Sequence, residues 1–166
     1  PPWNLVRLDV SNLPNLDPAS LTPALNVTVV NDNAGLQQIT DFFTRSKVFG
    51  LDTETNMVKS FTDRKLRLIQ IGDKNEQYII DLLGFAGSQE RMEQQGWKTA
   101  PGWASEIVAC LTPALDSNTH LKVGYNLQFE YEMLLWNLGI YSWNFYDCML
   151  AEKAIYAGAV HFMKKD

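Results

Sequence analysis

The chain has little cysteine, no long apolar run and no excess of basic residues. It contains two cysteines, Cys110 and Cys148, and they fit neither a disulfide framework nor a metal-ligand spacing. A reducing cytosol is therefore the expected compartment. Its apolar runs are far shorter than the roughly 18 residues that would cross a membrane, so we expect no membrane association.

The charge balance limits how the chain could bind nucleic acid. Its formal net charge is -5, whereas binding through overall electrostatics needs an excess of Lys and Arg to displace phosphate counterions. The acidic balance does not exclude a nuclease, because a carboxylate-rich metal site takes its local positive charge from the bound ions.

Length and composition indicate one domain preceded by a linker. A chain of 166 residues with 46% hydrophobic content can bury a sizeable core. Residues 1–25 are proline-rich and lack periodicity, so they are interpreted as an extended lead-in, and residues 26–166 as the domain. The opening residues, Pro1-Pro2-Trp3-Asn4, carry no signal-peptide pattern and no Met, which we interpret as an excised or processed chain.

Hydrophobic periodicity predicts an α/β domain. Strands are expected at residues 27–30, 47–52, 66–72, 77–81 and 121–124, the third and fourth forming a hairpin. Helices are expected after a cap within residues 31–33, at 104–115 with Pro113 ending it, at about 128–138 and at about 147–157. Residues 84–102 are predicted to form a loop or a poor helix. The expected architecture is a mixed sheet flanked by helices.

The first candidate site lies where the second predicted strand ends. Phe49-Gly50-Leu51 leads into Asp52-Thr53-Glu54. On an extended backbone, residues i and i+2 project from the same face about 7 Å apart, so the carboxylates of Asp52 and Glu54 can converge. Hard divalent cations take such oxygen ligands, and two ions can clamp a phosphodiester during in-line displacement.

A second group of polar residues begins a helix about seventy residues later. In Gly124-Tyr125-Asn126-Leu127-Gln128-Phe129-Glu130, Asn126 is placed to cap the helix. Glu130 lies about one turn into that helix, where it can face the strand that carries Asp52. Asp147 begins the next predicted helix, where a carboxylate accepts backbone N–H groups as an N-cap.

Three motifs in this order resemble those of the DEDD 3′-to-5′ exonucleases. The first is Leu51-Asp52-Thr53-Glu54-Thr55, the second is Val123-Gly124-Tyr125-Asn126-Leu127-Gln128-Phe129-Glu130, and the block Asp147-Cys148-Met149-Leu150-Ala151-Glu152 follows it. The resemblance covers about residues 27–160. It is nearest to the proofreading domain of family A (polymerase-I-like) DNA polymerases, and ribonuclease D and RecQ-helicase-associated exonucleases are more distant.

The resemblance implies a ribonuclease-H-like fold and a two-ion site for Mg²⁺ or Mn²⁺. It implies release of nucleoside monophosphates from a single-stranded DNA 3′ end, with a covalently linked polymerase domain as partner, in a bacterial or phage-infected cytoplasm. By motif position it assigns Asp52, Glu54 and Glu130 as catalytic metal ligands. It assigns substrate contacts to Thr53, Val58, Asn126 and Phe129. It gives Asp147 a structural role.

Two departures from the family pattern leave alternatives open. Glu130 stands where the family has Asp, and its extra methylene moves the carboxylate by more than about 1 Å, whereas Mg²⁺ demands near-ideal geometry. The third family motif, a Tyr or His four residues before a last Asp, is absent before the chain ends at Asp166. We therefore expect a fragment that is inactive alone. The alternatives are an inactive DNA-binding or structural module and a ribonuclease D-like RNA exonuclease.

Overall fold

Six strands form one mixed sheet in the computed structural model, which describes residues 26–56 and 58–156. The strands are β1 (Asn26–Val30), β2 (Val48–Thr55), β3 (Leu66–Gly72), β4 (Glu76–Asp81), β5 (Leu121–Gly124) and β6 (Phe145–Asp147). The helices in this part of the chain are α1 (Asn33–Arg45), α2 (Leu82–Ala86), α3 (Gln89–Met92), α4 (Ser105–Leu115), α5 (Gln128–Leu138) and α6 (Cys148–Tyr156). The strand order is β1-β4-β3-β2-β5-β6, and the predicted mixed sheet flanked by helices is confirmed.

Strand β2 lies inside the sheet and is bonded on both sides. It pairs antiparallel with β3, with Asp52 opposite Gln70, and parallel with β5, with Gly50 opposite Val123. Exposed and buried side chains alternate along β2, as expected for a strand that covers the core with one face. Asp52 and Glu54 fall on the exposed set, and Thr53 falls on the buried set.

Aromatic packing joins α1 to the buried face of β2. Phe42, Phe43 and Phe49 are buried, with the Phe43 and Phe49 rings 5.1 Å apart and the Phe42 and Phe49 rings 6.2 Å apart. Helix α1 begins as predicted, because the Asp32 side chain accepts the Gly35 N–H at 2.8 Å. This packing fixes the central strand, and therefore the two exposed carboxylates that it carries.

Three local predictions are corrected by the structure. β6 is missed by periodicity because three residues are too short to show a pattern, yet it pairs parallel with β5. Helix α6 therefore begins after Asp147, at Cys148. Pro113 lies inside the last turn of α4 and does not end it, since proline keeps a helical φ and loses one hydrogen bond there. The prediction of a loop or a poor helix at residues 84–102 is confirmed, since this segment contains the end of α2, the four-residue α3 and turns.

Several predictions fall outside the described residues. These are the lead-in at residues 1–25, the end of the last predicted helix at Ala157, and the chain end up to Asp166. Within the described ranges, no helix has both the length and the apolar character needed to cross a bilayer.

Gly124, at the end of β5, provides a test of how closely β5 approaches β2. A Cβ at this position would lie 2.6 Å from Leu127 Cδ2 and 2.7 Å from the Leu51 carbonyl oxygen. Because the second contact is with backbone of a central strand, we expect Gly124→Ala to lower the free energy of unfolding by about 1–3 kcal/mol, the usual cost of overpacking. Chemical denaturation measures the change.

Gly102→Ala is the matched control, because a Cβ there meets no atom within 4 Å. Equal stability of the two variants would contradict the close approach of β5 to Leu51.

Candidate active site

Asp52 and Glu54 extend from the exposed face of β2, as the alternation of strand side chains predicts. Asp52 Oδ2 accepts a hydrogen bond from Gln70 Nε2 at 3.0 Å across the β2–β3 pairing. Neither carboxylate forms an ion pair with another described residue. Gln70 was not identified from sequence, because only the register of the hairpin against β2 shows that it faces Asp52.

Glu130 reaches the same strand from α5, but it is buried. Its side chain is 4% exposed, and Glu130 Oε1 accepts a hydrogen bond from Thr53 Oγ1 at 3.3 Å. Its other oxygen, Oε2, is buried without a hydrogen-bond partner. Thr53 belongs to the buried face of β2, and its hydroxyl donates to Glu130. Its role as a substrate contact stays a prediction.

The environment of Glu130 favours its neutral form. Burial raises the pKa of this carboxyl to about 7, and the negative charge of Asp52 adds to the increase, against hydrogen bonds that include the one from Thr53. A carboxyl with such a pKa changes charge near neutrality. The pair of Asp52 and Glu130 is thus already coupled electrostatically without a cation.

The turn before α5 places Glu130 through an unusual backbone conformation. Asn126 has a φ of 62°, in the left-handed region that Asn tolerates better than most residues. The residue at the N-cap of helix α5 is Leu127, and neither it nor Asn126 provides a side-chain cap hydrogen bond. The prediction that Asn126 caps the helix is therefore wrong. Its backbone conformation, and not its amide group, shapes the entry to α5.

Asp147 connects this turn to the start of α6. Its Oδ1 accepts from the N–H groups of Asn126 and Met149 at 3.1 and 2.9 Å and from Leu150 at 3.3 Å, and its Oδ2 accepts from Leu127 at 2.8 Å. Partial burial opposes ionisation, but these N–H groups outweigh it and lower the pKa of Asp147. Asp147 has the structural role predicted for it, and it serves two helix starts.

Val58 and Phe129 lie near the acidic residues on separate elements. Val58 and Glu54 line a common cavity beyond the end of β2. Phe129 precedes Glu130 on α5, is half-buried, and packs on the hydrophobic core. Their roles as substrate contacts stay predictions.

The donor chemistry of these residues fits a divalent cation. Two exposed carboxylates and one buried carboxylate with an unpaired oxygen supply the hard ligands that Mg²⁺ and Mn²⁺ prefer. Within residues 26–56 and 58–156, however, no three His, Cys, Asp or Glu side chains are grouped closely enough to hold an ion. The Glu130 carboxylate accepts a hydrogen bond from Thr53, which belongs to the buried set of β2, whereas Asp52 and Glu54 belong to the exposed set.

Comparison with known proteins finds one family and a set of similar folds. The profile of the 3′-5′ exonuclease family matches residues 27–164. No curated protein sequence matches the chain. The Trypanosoma brucei RNase D: GMP complex is similar with a TM-score of 0.63 and 15% identity, over 78% of this chain and 35% of that one.

Two further structures are similar in fold. Escherichia coli RNase D, an exoribonuclease involved in structured RNA processing, has a TM-score of 0.51 and 19% identity, over 74% of this chain and 27% of that one. The EXD2 exonuclease domain soaked in Mn and GMP has a TM-score of 0.51 and 22% identity, over 78% and 58% respectively. The chain spans well under half the length of the two RNase D chains.

The raised pKa of Glu130 predicts a pH-dependent stability in the absence of divalent ions. The folded-state pKa of about 7 exceeds the ordinary value of 4.5. The stabilisation from the protonated form is complete below pH 4.5 and is lost as the pH rises through 7. The full difference is about 3 kcal/mol. Urea denaturation in EDTA between pH 4 and 8 measures it.

Glu130→Gln stays neutral and should flatten this dependence, whereas Glu132→Gln, two residues along α5, should retain it. Parallel loss of stability with pH in the unmodified chain and Glu130→Gln would contradict the buried neutral carboxyl.

Asp147 predicts a second, independent effect on stability. Asp147→Ala removes acceptors from four backbone N–H groups, so we expect the melting temperature to fall by several degrees, with Asp147→Asn intermediate. Asp63→Ala, an exposed acid in a short 3₁₀ turn, is the control and should melt like the unmodified chain. Circular dichroism follows the transition, and equal melting temperatures for the two Ala variants would contradict the double-cap role.

Proposed function

The chain belongs to the 3′-5′ exonuclease family, and from this premise we propose that it removes nucleotides from the 3′ end of single-stranded RNA. The observation that carries the proposal is the hydrogen bond between Glu130 and Thr53. Thr53 is the residue between Asp52 and Glu54 in the sequence of the central strand. The fold similarity to RNase D from two organisms supports RNA as the substrate class.

The acidic residues supply the ligands for the chemistry. Members of this family normally use two divalent ions, and Asp52, Glu54 and Glu130 would hold Mg²⁺ or Mn²⁺ here. The chemistry that the ions supply when bound is activation of a water molecule and stabilisation of the departing 3′ oxygen. Gln70 orients the Asp52 carboxylate through its hydrogen bond, and the unpaired Oε2 of Glu130 is the atom available for a ligand role.

The carboxylate of Glu130 can bind either a proton or a metal ion. Because its pKa is about 7, its carboxyl must lose a proton to become a ligand at neutral pH. Cation affinity is therefore expected to increase with pH, since a ligand must be deprotonated to bind. The hydrogen bond from Thr53 occupies Glu130 Oε1 and leaves Oε2 for a ligand role.

A second candidate is a proofreading exonuclease linked to a DNA polymerase. The block Asp147-Cys148-Met149-Leu150-Ala151, whose Asp147 braces the turn before Glu130, supports it through its resemblance to family A polymerases. Both candidates predict the same reaction on different sugars, so a comparison of matched RNA and DNA decides between them.

The test is cleavage of 5′-labelled single-stranded RNA and DNA of one sequence with Mg²⁺ or Mn²⁺, by a longer protein that contains this chain together with the last family motif, because residues 1–166 are expected to be inactive alone. We expect shortening by single nucleotides from the 3′ end, faster on RNA. Asp52→Asn should lower the rate by at least about 100-fold, because losing a metal-binding carboxylate should exceed the 10–100-fold typical of its supporting residues. Asp41→Asn, an exposed acid on α1, is the control.

Preference for DNA would favour the proofreading candidate. Absence of cleavage on both substrates with both ions would contradict the proposal and favour an inactive exonuclease-like module.

A further inference from the structure

A cavity of about 600 Å³ opens where β2 ends, on the side of Glu54. Its wall combines one of the acidic residues with two cations of the segment that follows β2. The lining residues are Glu54, Thr55, Asn56, Val58, Lys59 and Arg64. A space that brings cations beside metal-binding carboxylates has the charge pattern needed to hold a phosphate chain near a nuclease centre.

The segment that carries these cations, residues 58–65, is fastened to α5. The Phe61 ring packs edge-to-face on Trp136 of α5, with centroids 5.8 Å apart. Trp136 Nε1 donates a hydrogen bond to the Thr62 carbonyl oxygen at 3.2 Å. The Trp97 ring also packs on Trp136, with ring centroids 4.7 Å apart. The segment is therefore positioned by the same helix that carries Glu130.

The base of the segment is closed by its own hydrogen bonds. The Asn56 N–H donates to the Lys65 carbonyl oxygen at 3.1 Å, and Asn56 Oδ1 accepts the Lys65 N–H at 2.8 Å. Arg64 and Lys59 are thus presented from a closed loop. A preformed cationic surface loses less conformational entropy on binding than a free chain does.

Arg64 is held by an aromatic ring and not by an acid. Its guanidinium carbon lies 5.6 Å from the centroid of the Phe129 ring, a cation–π arrangement. Within the described part of the chain, neither Arg64 nor Lys59 forms an ion pair, in contrast to Arg45 and Arg67. The guanidinium N–H groups are therefore not neutralised by a carboxylate, and Arg forms strong bidentate hydrogen bonds with phosphate.

We propose that Arg64, oriented by Phe129, and Lys59 bind backbone phosphates of the single strand whose 3′ end enters the acidic site. This inference rests on the proposed function, because it names the surface that presents the strand to Asp52 and Glu54. It explains how a chain with a net charge of -5 holds a polyanion: the cations are concentrated in one cavity beside the carboxylates. Arg64 and Lys59 are substrate-binding residues in this scheme, and Phe129 is a positioning residue.

The test measures binding and needs no cleavage. Fluorescence anisotropy with a 5′-labelled 12-nucleotide oligouridylate, in EDTA and over a range of KCl concentrations, gives the affinity and its salt dependence. Each lost phosphate contact should reduce the slope of log K against log salt by about 0.7. We expect Lys59→Gln and Arg64→Met each to weaken binding several-fold and to reduce the slope.

Arg64→Lys separates charge from stacking geometry. This variant should keep the slope of log K against log salt but bind more weakly than the unmodified chain. The reason is that an ammonium lacks the planar guanidinium group, which stacks on an aromatic ring and forms two hydrogen bonds with one phosphate. Lys74→Gln, an exposed lysine in the β3–β4 turn, is the matched control and should leave both quantities unchanged. Lys59 is exposed, so its variant keeps the test decisive even if an Arg64 variant fails to fold.

The outcomes separate this inference from the proposed function. Binding that depends on Lys59 and Arg64, together with no cleavage under any condition, would support the cationic surface and contradict the exonuclease activity. Cleavage that depends on Asp52 but is indifferent to Lys59 and Arg64 would contradict the surface alone. Affinities equal to that of Lys74→Gln, or no binding by the unmodified chain at low salt, would also overturn it.

Discussion

The contact between Glu130 and Thr53 is the interaction on which the geometry of the site depends. It joins the first turns of α5 to the central strand at the residue between the two exposed acids. Burying a carboxyl is costly, and the chain limits this cost through one hydrogen bond and a pKa raised to about 7, which keeps the group largely protonated below neutral pH. The remaining oxygen stays unpaired, so the contact is incomplete in a way that a bound cation would resolve.

The surroundings hold this contact through backbone constraints. Gly124 lets β5 approach the Leu51 carbonyl, Asn126 turns the chain with a left-handed backbone, and Asp147 gathers the N–H groups at that turn. These three residues use different chemistry for one purpose, which is to aim the start of α5 at β2. The aromatic contacts of Trp136 extend the same helix to the cationic segment. Helix α5 therefore positions both Glu130 and the cationic segment at residues 58–65.

Local pattern was sufficient to predict much of this arrangement. Strand alternation placed Asp52 and Glu54 on one face, and helical periodicity predicted α5 with the bounds that the structure has. The capping preference of Asp predicted the start of α1 and one half of the role of Asp147. These features depend on residues that are neighbours in sequence, where backbone geometry alone decides which side chains share a face.

What sequence reasoning missed depends on tertiary contacts. Gln70 meets Asp52 only through strand register, and Thr53 meets Glu130 only because α5 packs on β2. Capping preference assigned the Asn126 side chain to a cap, but this residue contributes its backbone conformation, and the burial of Thr53 against Glu130 was not predicted. The extra methylene of Glu130 was recognised as a departure, but the hydrogen bond from Thr53 to its carboxylate is visible only in the packed structure.

The most direct test of the central claim, that Asp52, Glu54 and Glu130 hold divalent cations, is anomalous diffraction from crystals soaked in Mn²⁺ and a nucleoside monophosphate. The account predicts manganese within about 2.5 Å of oxygens from Asp52 and Glu54, with Glu130 Oε2 joining the ligands. Manganese absent from these two carboxylates, or bound there while Glu130 stays away from the ion, would contradict it.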